Sequence, residues 1–168
     1  QNNNFNNYKT KKMNILNSEI LSIPSYTCGI GQGNLKPKFI FIGQNPGSDI
    51  KKGYKFWSNP EDGSSKVLLP VLESLGIIQD CYFTNIVKST TPDNSEPSES
   101  LTTYWNEYLK RELDILKTNN PDAKVITMGK WTEKNFNGAS IHIAHPASVF
   151  YGHLAKEEYG EEIKKATE

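Results

Sequence analysis

The sequence predicts an α/β protein: a three-layer α/β/α sandwich with a central four-stranded parallel sheet. Three observations carry this. Short runs rich in aliphatic and aromatic residues recur at 38–43 (KFIFIG), 81–87 (CYFTNIV), 123–129 (AKVITMG) and 140–144 (SIHIA). Segments of helical character separate them. Strands joined through helices pair in parallel and need cover on both faces.

Taken in order, residues 1–12 are polar, with Asn at 2, 3, 4, 6 and 7 followed by Lys9, Lys11 and Lys12. So few apolar groups cannot offset the entropy of ordering, so a disordered tail is expected here. Residues 13–168 then form one domain, and Met13 is a candidate natural start. The first strand lies between Pro37 and the Asn45-Pro46-Gly47 turn. A helix is expected over 64–76, with Ser64 or Ser65 as N-cap, Gly76 as stop, and a kink or late start at Pro70. After the second strand, Ser98 caps a long helix reaching about Lys117, with Leu101, Tyr104, Trp105, Tyr108, Leu109, Ile115 and Leu116 in its apolar stripe. Asn119-Asn120-Pro121 ends it. The third strand leads to a short helix near 131–136. After the fourth comes a charged surface helix over 154–166.

Composition narrows the function. The 168 residues carry 19 basic and 19 acidic side chains, for zero net charge. That excludes a chain that coats nucleic acid by charge alone and leaves room for one basic face. Residues 34–66 carry a net +3 and residues 67–120 a net −4. Two cysteines, Cys28 and Cys81, cannot ligate an iron–sulfur cubane alone and are expected as reduced thiols. No apolar run spans a membrane, and no signal-peptide core begins the chain. An intracellular protein is expected, in the cytoplasm, nucleoid or nucleus.

In open parallel sheets, ligands bind beyond the carboxyl ends of the strands. This points to 43–48 (GQNPGS), 85–92 (NIVKSTTP), 129–131 (GKW) and 144–148 (AHPAS). In the first, Gly43 and Gly47 allow close backbone approach, and Asn45 can orient water or read a polar edge. It is neither a dinucleotide fingerprint nor a Walker loop. In the last, His145 as a neutral imidazole can donate to an oxygen that gains charge during bond cleavage. His142 alternates with two isoleucines and reads as structural, and His153 as a surface residue. Asn85 ends a strand and is followed by Lys88. Phe56 or Trp57, in GYKFWSNP, can stack on a planar base. Each feature alone also fits an ordinary turn or packed side chain.

In order, Gly-Gln-Asn-Pro-Gly, a loop Phe, Thr-Asn-Ile-Val-Lys and His-Pro-Ala-Ser resemble the uracil-DNA glycosylase superfamily. The similarity runs over about residues 36–152. It is greatest to the branch whose thermophilic members carry an iron–sulfur cluster, through GYKFWSNPEDGSSKVLLPVLESLGI and CYFTNIVKSTTPDNSEPS.

The resemblance implies roles. Gln44 and Asn45 would hold the attacking water and contact the base, with Gly43 beside them. Phe56 would stack on flipped uracil, Asn85 would pair with its O4 and N3 edge, and His145 would donate to O2. Phe150 or Tyr151 would wedge into the duplex. Separately, the positive stretch around the first loop places Lys51, Lys52 and Lys55 near the DNA path, and Gly47, Lys88 and Ser148 are further candidate DNA contacts.

Three departures accompany it. Ser89 stands where the branch has a cluster cysteine, and the following helix has none, so no cluster, metal or other cofactor is expected. Gln44 stands where that branch has Glu. Gly47 stands where the most active branch has a Tyr that excludes the thymine methyl. The expected function is base-flipping hydrolysis of the N-glycosidic bond of uracil, or a related deaminated base, in DNA for base excision repair. A monomer is expected. The alternatives are a non-catalytic uracil- or abasic-DNA binding module and a flavodoxin-like nucleotide-binding protein.

Overall fold

The computed structural model describes residues 2–24, 26–48, 50, 57 and 63–168, with side chains from residue 7 onward. In chain order the elements are α1 (Asn2–Leu21), β1 (Gln32–Gly33), β2 (Phe39–Gly43), α2 (Gly63–Ser74), β3 (Cys81–Asn85), α3 (Glu99–Asn119), β4 (Lys124–Met128), α4 (Lys130–Asn135), β5 (Ile141–Ile143), α5 (Ala147–Phe150) and α6 (Lys156–Ala166).

The sheet order is β1-β3-β2-β4-β5. The four expected strands are present and parallel, with Gly43 opposite Asn85 and Ile42 opposite Thr127. The four-strand expectation is corrected by a fifth strand, since β1 pairs antiparallel to the edge of β3. A two-residue strand has no hydrophobic run to announce it. Gly33 makes the pairing possible: its φ is +122°, and an added Cβ would collide with the Cys81 carbonyl.

Both faces of the sheet are buried, as parallel sheets require. Strand alternation sends Ile40, Ile42, Tyr82 and Val125 to one face, against Met13, Leu16, Ile20, Trp105, Leu109 and Leu116 of α1 and α3. It sends Phe39, Phe41, Phe83 and Ile126 to the other, against Val67, Leu68 and Leu72 of α2 and Tyr159 and Ile163 of α6. Phe41 and Phe83 stack with centroids 5.7 Å apart.

The helices follow the expectations closely, with two differences. Helix α1 runs through the segment expected as a disordered tail. Met13, Leu16 and Ile20 share one face, are nearly fully buried, and hold the helix on the core. Arg111 of α3 clamps Glu19 bidentately at 2.6 and 3.0 Å. The tail is therefore continuous with a helix anchored further along. Helix α2 starts at Gly63, so Ser64 and Ser65 lie inside it, and it passes through Pro70. The helix α3 cap is as expected, with the Ser98 hydroxyl accepting from the Leu101 N–H at 3.2 Å. No helix among the described residues is long and apolar enough to cross a membrane.

Candidate active site

The carboxyl ends of β2, β3, β4 and β5 deliver Gly43, Asn85, Gly129 and, through a two-residue extension, His145 to one end of the sheet. The chain leaves β2 toward β3 on one side and returns to β4 on the other. In open α/β sheets such a strand-order reversal is where a ligand crevice forms.

Gly43 and Asn85 are paired across the sheet, and an added Cβ on Gly43 would sit 2.5 Å from Asn85 Oδ1 and 3.6 Å from the Trp57 ring. Only glycine permits this approach. Asn85 is 4% exposed, yet its side-chain amide hydrogen-bonds to none of the described residues. An amide so little exposed, with no described partner, is placed to meet a ligand's polar edge. The Trp57 ring lies 6.2 Å from the His145 ring and 6.4 Å from Phe83. Its φ of +63° is costly for a bulky residue.

His145 is half-buried. Its Nδ1 accepts from the Ala147 N–H at 3.0 Å, which leaves the proton of the neutral ring on Nε2. One residue earlier, the Ala144 N–H donates to Glu162 of α6 at 2.8 Å, fixing the base of the loop. The Ser148 N–H donates back to the His145 carbonyl at 2.9 Å, so the backbone of Ser148 closes this turn.

The loop after β2 is tied to the loop after β3. Gly43 and Gln44 carbonyls accept from Ile86 and Val87 N–H groups, each at 3.0 Å. Asn94 accepts from the Ser48 N–H at 2.9 Å. Asn45 donates its amide nitrogen to the Pro46 carbonyl (3.2 Å) and to Thr91 Oγ1 (3.4 Å), leaving Oδ1 as acceptor. Gln44 is half-buried beside it, and its amide meets no described partner. Gly47 is exposed, and an added Cβ there would meet only open space.

Other expected positions resolve differently. Phe56, Lys51, Lys52 and Lys55 lie outside the described residues. Lys88 is corrected: it is wholly buried and cannot reach a phosphate. Its Nζ lies 2.6 Å from Glu112 Oε1, 2.7 Å from Thr84 Oγ1 and 2.5 Å from the Asn85 carbonyl. Burial pulls the ammonium below the usual lysine range, against the opposing pull of the Glu112 carboxylate. Phe150 and Tyr151 are 56% and 69% exposed, with rings 5.2 Å apart edge to face. Phe150 rests on Gly63 at the start of α2. His142 faces Glu133 of α4 at 3.5 Å, and His153 is exposed. Trp57, one of the two loop aromatics of GYKFWSNP, lies at this end of the sheet beside His145. Thr91, Asn94 and Glu162 carry no signal in the sequence that marks them as site residues.

The iron–sulfur cluster implied by the resemblance does not fit these residues. Cys28 is fully buried, and its backbone bridges to Ser89. The Ser89 hydroxyl accepts from the Trp105 indole at 3.0 Å. Tyr26, Tyr104 and Tyr108 pack around that indole. Cys81 lies in the opposite layer, and burial, with Asp80 adding to it, pushes its thiol up to about 12. No three His, Cys, Asp or Glu side chains gather to hold a metal among the described residues.

The sequence also matches known proteins. The sequence profile of the uracil DNA glycosylase superfamily matches residues 30–166. A type-4 uracil-DNA glycosylase of Archaeoglobus fulgidus is 28% identical, over 82% of this chain and 79% of that protein. One from Saccharolobus solfataricus is 27% identical, over 82% and 74%. One from Sulfurisphaera tokodaii is 32% identical, over 62% of this chain and 45% of that protein.

Proposed function

Because this chain belongs to the uracil DNA glycosylase superfamily, whose members act on DNA, we propose that it removes uracil, or a related deaminated base, from DNA by hydrolysing the N-glycosidic bond. The observation that carries this reading is Asn85: a residue only 4% exposed whose side-chain amide hydrogen-bonds to none of the described residues, at the strand ends that also bring Trp57 and His145 together. Uracil presents an acceptor at O4 and a donor at N3–H, the complement of one carboxamide.

A base within a duplex is unreachable, so it is extruded at a cost of a few kcal/mol. Asn85 then reads its edge, and Phe56 or Trp57 covers its face. Bond breaking leaves positive charge on the sugar and negative charge on the base. His145 Nε2–H donates to O2, where the negative charge collects. Asn45 Oδ1 and Gln44 hold the water that attacks the sugar. Both are neutral, so they orient this water without strongly activating it. Gly47 and Ser148, with Lys51, Lys52 and Lys55, contact the backbone, and Tyr151 or Phe150 fills the vacated stack. In this reading the chain works as a monomer inside the cell, on DNA in base excision repair, with no bound cofactor.

The test is a panel of single- and double-stranded oligonucleotides carrying uracil, hypoxanthine or xanthine, assayed under single turnover. Wild-type protein releases uracil from the uracil-containing strands, read as alkali-labile abasic sites, and His145→Ala slows this release on the order of 100-fold. The absence of carboxylates at positions 44 and 45 favours one rival, a binding module. Tight retention of uracil DNA without base release would establish that rival instead.

A further inference from the structure

Lys88 and Glu112 form a wholly buried ion pair just beneath the crevice, and neither touches the substrate in the proposed reaction. Such a pair is a poor choice for stability alone, because apolar residues of similar volume often serve as well. Its geometry suggests another use. The Asn85 carbonyl and the Ile86 N–H belong to one peptide plane. Lys88 Nζ holds the carbonyl at 2.5 Å, and the Gly43 carbonyl holds the N–H at 3.0 Å. That plane is therefore pinned from both sides, which fixes the backbone of Asn85 and the direction of its side chain. The ammonium is itself aimed by Glu112 Oε1 and Thr84 Oγ1. Thr84 donates in turn to Glu112 Oε1 (2.7 Å), and Tyr82 donates to Glu112 Oε2 (2.7 Å).

We propose that Lys88, aimed by Glu112 of α3, is a positioning residue that locks Asn85 in the orientation that reads the base edge. This rests on the glycosylase reading above. Lys88 acts through Asn85 and makes no contact with the base. Helix α3 thereby helps set base recognition from the far side of the sheet.

Single removal of either partner strands a buried charge, so the test replaces both with apolar residues, in Lys88→Met/Glu112→Leu. Thermal unfolding is expected below the wild-type temperature but above the assay temperature, because the Tyr82 and Thr84 hydroxyls and the Asn85 carbonyl lose their buried partners, and affinity for uracil-free duplex is expected to be unchanged. The single-turnover rate on uracil DNA falls on the order of 10- to 100-fold, the scale of a misplaced recognition group. The decisive readout is the same pair of changes made in an Asn85→Ala background. There they cost no more than about 2-fold, because the group being positioned is gone. A wild-type rate in the double variant, or an equal loss with and without Asn85, overturns the proposal. If the double variant does not fold, Lys88→Met/Glu112→Gln retains polar partners for Tyr82 and Thr84 and carries the same readouts. Wild-type protein that leaves uracil DNA uncleaved sinks the glycosylase reading itself, and that failure is visible before any variant is made.

Discussion

Asn45 commits its side-chain nitrogen to Pro46 and Thr91, and this decides what its oxygen does. Oδ1 is left as a fixed acceptor, suited to orient water and unable to take a proton from it. Replacement by Ala is expected to lower the single-turnover rate on uracil DNA on the order of 10- to 100-fold while leaving duplex affinity intact. An unchanged or faster rate would remove the water-positioning role. The residue types of this site were legible in the sequence, because chemistry followed each strand end in turn. Burial was not. Lys88 reads as a loop cation until Glu112, 24 positions away, is placed beside it. Glu162 gave no signal, since it is one acid on a charged helix. Only the approach of α6 to the β5 loop gives it the Ala144 N–H to hold.

At the scale of elements, the four parallel strands and α3 were legible because their patterns are strong and their caps local. Strand β1 and the N-terminal helix were not, since each depends on a distant partner. Helix α1 contributes its stability through three side chains. Leu16→Ala is expected to cost about 2–5 kcal/mol in chemical denaturation, the usual range for a fully buried leucine. Tyr8→Ala is expected to change the unfolding midpoint little, because Tyr8 is more than half exposed. A large loss in that variant would show that this turn of the helix packs on the core. The α5 turn presents two aromatic rings. Phe150 is braced on Gly63 and Tyr151 projects furthest, so Tyr151 is the better wedge. Duplex affinity should fall more for Tyr151→Ala than for Phe150→Ala, by fluorescence anisotropy on a uracil-containing duplex. No loss for either would end the wedge assignment.

At the scale of the whole molecule, zero net charge conceals an uneven distribution, with residues 34–66 positive and 67–120 negative. The positive stretch leads into and out of the crevice loop, so a neutral protein can still offer DNA a favourable face. The fold converges four strand ends on one crevice, and the Trp105 indole and the Cys28–Ser89 bridge pack together behind the sheet. In the proposed reaction this crevice breaks the glycosidic bond of a flipped uracil, with Asn85 reading the base and His145 receiving its charge. The single-turnover rate of uracil release from a uracil-containing oligonucleotide by wild-type protein, Asn85→Ala and His145→Ala tests this. Release by the wild type and a loss on the order of 100-fold in each variant are expected, with all three proteins folded. Release at equal rates by all three, or no release by the wild type, would contradict it.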